Sequence, residues 1–186
     1  FAYWKSSYSE GLINLLNHHS LPVGRVVDLG DLLALPMVFC CRSVLIIGGS
    51  QGAHRINMAV IEALDHLGDL RHLHFIHQTG QTDEQSVREA FQQRKIGGTV
   101  QTFFDNMAEQ YGRADLIVCR AGATTVAEVT ALGKAAIFIP FPYAADNHQA
   151  MNAGSVADKG AAEILIGRGL NGRILSEKIR YYADHP

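Results

Sequence analysis

Beyond residue 42 the apolar positions switch repeatedly between short continuous runs of aliphatic residues and stretches spaced three and four apart. The runs at 43–47, 73–77, 99–103, 116–119, 136–139 and 162–165 predict six strands. Ile56, Val60, Ile61, Leu64 and Leu67 form a helical stripe after the first run, and Val87, Ala90 and Phe91 begin another. Helices are predicted over 83–93, 106–111, 124–132, 148–159 and 176–183. Strand and helix alternating in this way predict an α/β fold: a parallel sheet with right-handed crossovers and helices on both faces. Ahead of residue 43, residues 8–18 fit a short helix, and 21–36 mix turns with apolar residues without a clear period. There is no internal repeat and no low-complexity linker.

Composition narrows the function. The 186 residues carry 16 Lys+Arg against 18 Asp+Glu, and 47% are hydrophobic, which describes one soluble domain with a sizeable core. An enzyme working in a cleft between two lobes needs roughly twice that length. A net charge of -2 with scattered signs gives no broad attraction for nucleic acid or an anionic membrane surface, so no nucleic-acid partner is expected. The longest apolar stretches, such as 43–47 and 135–141, are far short of the ~20 residues that span a bilayer. No signal-peptide pattern opens the sequence, and a cytosolic protein is expected. Cys40, Cys41 and Cys119 are an odd number without Cys-x-x-Cys spacing and read as reduced core thiols. His72, His74 and His77 lie close together, but strand alternation puts His77 opposite the other two. Partly exposed strand histidines are expected there, with no metal site and no cofactor.

In an open parallel sheet ligands bind beyond the carboxyl ends of the strands, so the loops that follow the strands carry the chemistry. The first is Gly48-Gly49-Ser50-Gln51-Gly52-Ala53, between strand and helix. Its glycines let the backbone approach an oxyanion, the helix start offers N–H groups, and Ser50 adds a hydroxyl, which together suit a phosphate; a plain tight turn is the alternative. A P-loop would need Gly-Lys-Ser/Thr where Gly52-Ala53-His54 stands. A dinucleotide fold would need an acidic residue where the second strand runs into His77-Gln78-Thr79-Gly80. Both are disfavoured.

The second loop, Arg120-Ala121-Gly122-Ala123-Thr124-Thr125-Val126-Ala127-Glu128, enters a helix with threonines in its first turn and Glu128 one turn beyond Thr124. A carboxylate there can accept two hydrogen bonds from a vicinal diol such as a ribose; a capped helix with a glutamate near its positive end is the alternative. The third, Pro140-Phe141-Pro142-Tyr143-Ala144-Ala145-Asp146-Asn147-His148-Gln149, brings four polar side chains to a helix start. These suit a hydroxyl-rich ligand, although Asp146 as N-cap with Gln149 at the third helical position would equally form a variant capping box.

In combination, Gly48-Gly49-Ser50-Gln51-Gly52-Ala53, Gly122 to Glu128, and Pro140-Phe141-Pro142 leading to Asp146, His148 and Gln149 resemble the C-terminal half of the MurG family of glycosyltransferases, from about Ser43 onward. The resemblance implies the C-terminal, Rossmann-like domain of a GT-B glycosyltransferase, holding UDP-N-acetylglucosamine as donor. It implies a whole enzyme that moves N-acetylglucosamine to lipid I to give lipid II in peptidoglycan synthesis, inverting the anomeric carbon, at the cytoplasmic face of the bacterial membrane. Carried over by position, Ser50 faces the diphosphate and the backbone of Phe104 meets the uracil edge. Ala123, Thr124, Thr125, Val126, Ala127 and Glu128 cradle phosphate and ribose, with Glu128 on the ribose hydroxyls. Gln149 and His148 contact the sugar, and Gly49, Gln51, Gly52, Met107 and Gly122 are further contacts.

The family's N-terminal acceptor domain, which supplies the base, the lipid I site and the peripheral membrane contact, has no expected counterpart. Residues 1–42 then form a lead-in segment, in which 32–36 resembles the family's approach to its C-terminal domain. Leu21-Pro22-Val23-Gly24-Arg25 is only similar to the family's interdomain Asn-Pro-Val-Arg stretch, and Arg25 is its candidate for a nucleotide contact. Two rival readings remain: the donor-binding subunit of a two-chain transferase, and a non-catalytic UDP-sugar protein. An epimerase is disfavoured because no acid/base pair suits it.

Overall fold

A computed structural model of the chain describes residues 42–144 and 147–185. The predicted helix at 8–18, Arg25, Cys40, Cys41 and Asp146 lie outside the described residues. Six strands alternate with six helices: β1 Arg42–Ile47, α1 His54–Leu64, β2 Leu73–Gln78, α2 Glu84–Arg94, β3 Gly98–Gln101, α3 Met107–Arg113, β4 Leu116–Cys119, α4 Ala123–Ala131, β5 Ala135–Phe138, α5 His148–Ala157, β6 Ala162–Ile164 and α6 Gly172–Asp184. A 3-10 turn, Gly167–Gly169, precedes α6.

The strands form one sheet in the order β3-β2-β1-β4-β5-β6, and every neighbouring pair is parallel. Each side of the sheet packs against its own apolar layer. Val44, Ile46, Phe75, Val118 and Ile137 meet α1, α2 and α6, while Leu45, Ile47, Ile76, Ile117 and Phe138 meet residues of α3, α4 and α5 such as Tyr111, Val129 and Ala153. Covering on both faces explains why the central strands read as unbroken apolar runs rather than alternating ones.

Three expectations are corrected by this packing. His77 is fully buried, not partly exposed, because β2 is an inner strand; His74, on the other face, is half-buried. The third strand stops at Gln101 rather than at residue 103: its neighbour β2 ends at Gln78 and turns at Gly80 (φ 74°), so the paired register closes at Gln78 and Gln101. The last helix starts at Gly172 rather than residue 176, since the Asn171 side chain accepts the Ile174 N–H at 2.9 Å and caps the extra turn.

Candidate functional site

Connections from β1 to β3 run one way across the sheet and those from β4 to β6 run the other, so the chain reverses between β1 and β4. The loops leaving Ile47 and Cys119, which are register partners, are therefore held side by side at a topological switch point. Between them opens a cleft of about 370 Å³, with Gly48, Gly49 and Ser50 on one side and Gly122, Thr125 and Glu128 on the other. A second hollow of about 320 Å³ adjoins it, reached by Gly52, Arg55 and Gln149. Neither α1 nor α4 has a side-chain cap at its start, and both helix starts border these hollows, α1 through Ala53 and His54 and α4 through Gly122 and Thr125.

The glycine loop is fixed from behind. Gly52 (φ 78°) and Gly80 (φ 74°) sit back to back, one after β1 and the other after β2. A Cβ on Gly52 would lie 1.9 Å from the Thr79 carbonyl oxygen, and one on Gly80 would lie 2.2 Å from that of Gln51. Only two glycines permit this crossing.

Behind it runs a buried polar chain. Asn57 Nδ2 donates to the Thr79 carbonyl at 2.9 Å and to Asp83 Oδ2 at 2.7 Å, leaving its Oδ1 to accept from His77 Nε2 at 2.9 Å. His77 must therefore carry its proton on Nε2. His54 Nδ1 lies 2.9 Å from Asp83 Oδ1. Burial alone would raise the Asp83 carboxyl, but hydrogen bonds from Asn57 and His54 outweigh it and hold it below the ordinary range.

Gln78, at the end of β2 and almost fully buried, ties two loops together with the two ends of its amide. Nε2 donates to the Gly49 carbonyl at 3.1 Å, and Oε1 accepts the Phe104 N–H at 3.0 Å. Of the Phe104 backbone, expected at a base edge, the N–H is thus engaged by Gln78, and the side chain belongs to the core; its neighbours Phe103 and Met107 line the cleft.

On the opposite wall the exposed Glu128 accepts at Oε2 a 3.0 Å hydrogen bond from the hydroxyl of buried Tyr111. Burial and that carboxylate push the Tyr111 phenol above its usual range, so it remains a neutral donor. Arg120 also borders the cleft; its Nη1 donates to the Ile139 and Pro140 carbonyls at 3.0 and 3.1 Å, and its guanidinium stands 5.4 Å from the Phe141 ring centre.

At the third loop the N-cap is Asn147, in a left-handed conformation and without a side-chain cap. Gln149, which the alternative reading placed in a capping box, instead accepts the Phe141 N–H at Oε1 at 2.8 Å and pins the start of the loop.

The structure thus brings Gly49, Ser50, Met107, Gly122, Thr125, Glu128 and Gln149 to one cleft. Gln51, Ala123, Thr124, Ala127 and His148 are exposed near it, while Val126 packs against the lower core layer. Gln78, Tyr111 and Arg120 join the cleft without having been named as site residues from the sequence; Gln78 and Arg120, at strand ends, carried a positional signal, and Tyr111, inside a helix, carried none.

Fold and cleft define a Rossmann-like α/β domain with its ligand site at the switch point. The chain belongs to glycosyltransferase family 28: the C-terminal domain of that family matches residues 43–186. A relative from a Geobacter species, named UDP-N-acetylglucosamine:N-acetylmuramyl-(pentapeptide) pyrophosphoryl-undecaprenol N-acetylglucosamine transferase, is 50% identical over 145 residues. That match takes in 77% of this chain but 39% of the relative. The crystal structure of Acinetobacter baumannii MurG superposes with a TM-score of 0.68 at 37% identity, over 76% of this chain and 41% of that one. A Neisseria meningitidis UDP-GlcNAc 2-epimerase, 13% identical with a TM-score of 0.51 over 80% of this chain and 37% of its own, shares the fold alone.

Proposed function

We propose that residues 43–186 are the donor-binding domain of an inverting transferase that takes N-acetylglucosamine from UDP-N-acetylglucosamine and delivers it to lipid I at the inner membrane face. The observation that carries this reading is the pairing, across one cleft, of the glycine loop before α1 with Glu128 on α4. In this reading the diphosphate lies against Ser50 and the N-termini of α1 and α4, whose amides favour anions. Arg120 adds a positive charge on the same wall. Glu128 takes the ribose hydroxyls and the base lies toward Phe103, Phe104 and Met107. Gln149, with Oε1 committed to Phe141, has its NH₂ left as a donor for the sugar, beside His148.

In transfer, the bond from the anomeric carbon to the UDP oxygen breaks as the acceptor hydroxyl attacks from the opposite face. Charge grows on the departing diphosphate, and preorganised amides oppose it without reorganisation. The acceptor's proton goes to a base outside residues 43–186. Acceptor binding, membrane contact and that base are assigned to the portion of the relatives that this chain does not cover.

Calorimetric titration of the chain with UDP-N-acetylglucosamine tests the reading. Binding is expected, weakened about tenfold or more by Glu128→Ala, the scale of a hydrogen bond to a charged group, and also weakened by Ser50→Ala. No binding, or unchanged binding in both variants, overturns it.

A further inference from the structure

We propose that Tyr111 is a positioning residue for Glu128, and that through it the cleft distinguishes a ribose from a deoxyribose; this rests on the assignment of Glu128 to the ribose. An exposed glutamate on a helix has several rotamers and no reason of its own to keep one. Glu128 differs because a buried group on another helix reaches it: the Tyr111 ring belongs to the apolar layer that includes Leu45, Ile47 and Ile117, and its hydroxyl meets the Glu128 carboxylate on α4. The hydroxyl has one proton, and it goes to Oε2. An ionised carboxylate offers about four acceptor directions, so Oε1 and the second direction on Oε2 remain for a ligand.

A vicinal diol needs the carboxylate presented in one orientation, with both acceptors toward the 2′- and 3′-hydroxyls together. Tyr111 supplies that orientation before the ligand arrives, so the ordering cost is met in the fold and not on binding. Desolvation and the facing carboxylate push the phenol above its usual range, so it stays the donor in this contact. Both residues line the same cleft, which separates this contact from an ordinary buried hydroxyl finding a partner.

The experiment compares UDP with 2′-deoxy-UDP by calorimetry on the wild-type chain, Tyr111→Phe, Glu128→Ala and the double variant, with folding checked by circular dichroism. Tyr111→Phe deletes one oxygen and leaves the ring in place. It is expected to weaken UDP about five- to tenfold, as for loss of one charge-assisted contact, and 2′-deoxy-UDP less than about twofold, so that the preference for the ribonucleotide shrinks. The double variant should show the same preference as Glu128→Ala alone. Equal weakening of both ligands by Tyr111→Phe would make the tyrosine merely structural and overturn the proposal, as would no change in either. A wild-type preference that survives Glu128→Ala would instead overturn the ribose assignment itself.

Discussion

His77 shows how one side chain can tie this fold to pH. Its Nε2 proton is committed to Asn57, whereas its Nδ1 is buried without a partner. Protonation there would bury a charge, and burial, opposed only in part by the Asp83 carboxylate, holds the imidazole down to about 3 from an ordinary 6.5. Because the folded pKa is depressed, the unfolded chain binds the proton more readily between those values. Stability is therefore fully present above about pH 6.5 and is lost as pH falls toward 3. One such group costs about 2 kcal/mol by pH 5. Urea denaturation at pH 7.5 and pH 5 should show a drop of that order in the wild type and a smaller one in His77→Gln, although that variant starts less stable. The half-buried His74 is shifted in the same direction and contributes to both proteins, so the difference between them isolates His77. An identical drop in both would remove it from the acid response.

At the scale of elements, the site depends on loops that hold one another. Gly80→Ala should cost at least about 1–2 kcal/mol for a left-handed conformation, and more for the overlap with the Gln51 carbonyl. The glycine loop would be displaced, so thermal unfolding and UDP-N-acetylglucosamine affinity should fall together. A variant with unchanged melting and binding would show that the crossing is not needed. Much of this scale could be read from sequence: the strand at Leu116–Cys119 matches its apolar run end to end, and the ligand loops follow strands as parallel-sheet geometry requires. What could not be read are side chains that reach across the chain. Gln78 meets Phe104 26 residues away, and Tyr111 meets Glu128 17 residues away. No local period encodes such pairs. The contact of Gln149 is of the same kind, since its Oε1 satisfies an N–H eight residues back and not one at the start of its own helix.

For the molecule as a whole, the coverage of its relatives sets what to expect. The chain spans 39% of the Geobacter transferase, and the proposed reading puts only the donor and its leaving diphosphate in its cleft. Incubated with UDP-N-acetylglucosamine and a lipid-linked muramyl acceptor, residues 1–186 alone should bind donor yet release no UDP above background. Transfer should appear when the N-terminal portion of a relative is supplied; turnover by the chain alone would overturn this division of labour. The near-neutral charge of -2 is compatible with the proposed donor site, in which helix amides and Arg120 take the place of a basic surface. The back-to-back glycines bear on how such a protein could be re-engineered. The half of the cleft built from the first two strands is interlocked through Gly52, Gly80 and Gln78, so a change there propagates to both loops at once. Thr125 and Gln149 stand on the other half, beyond that interlock. A library seeking new sugar donors would therefore vary the α4 and α5 side and keep the glycine side as a fixed anchor for the nucleotide.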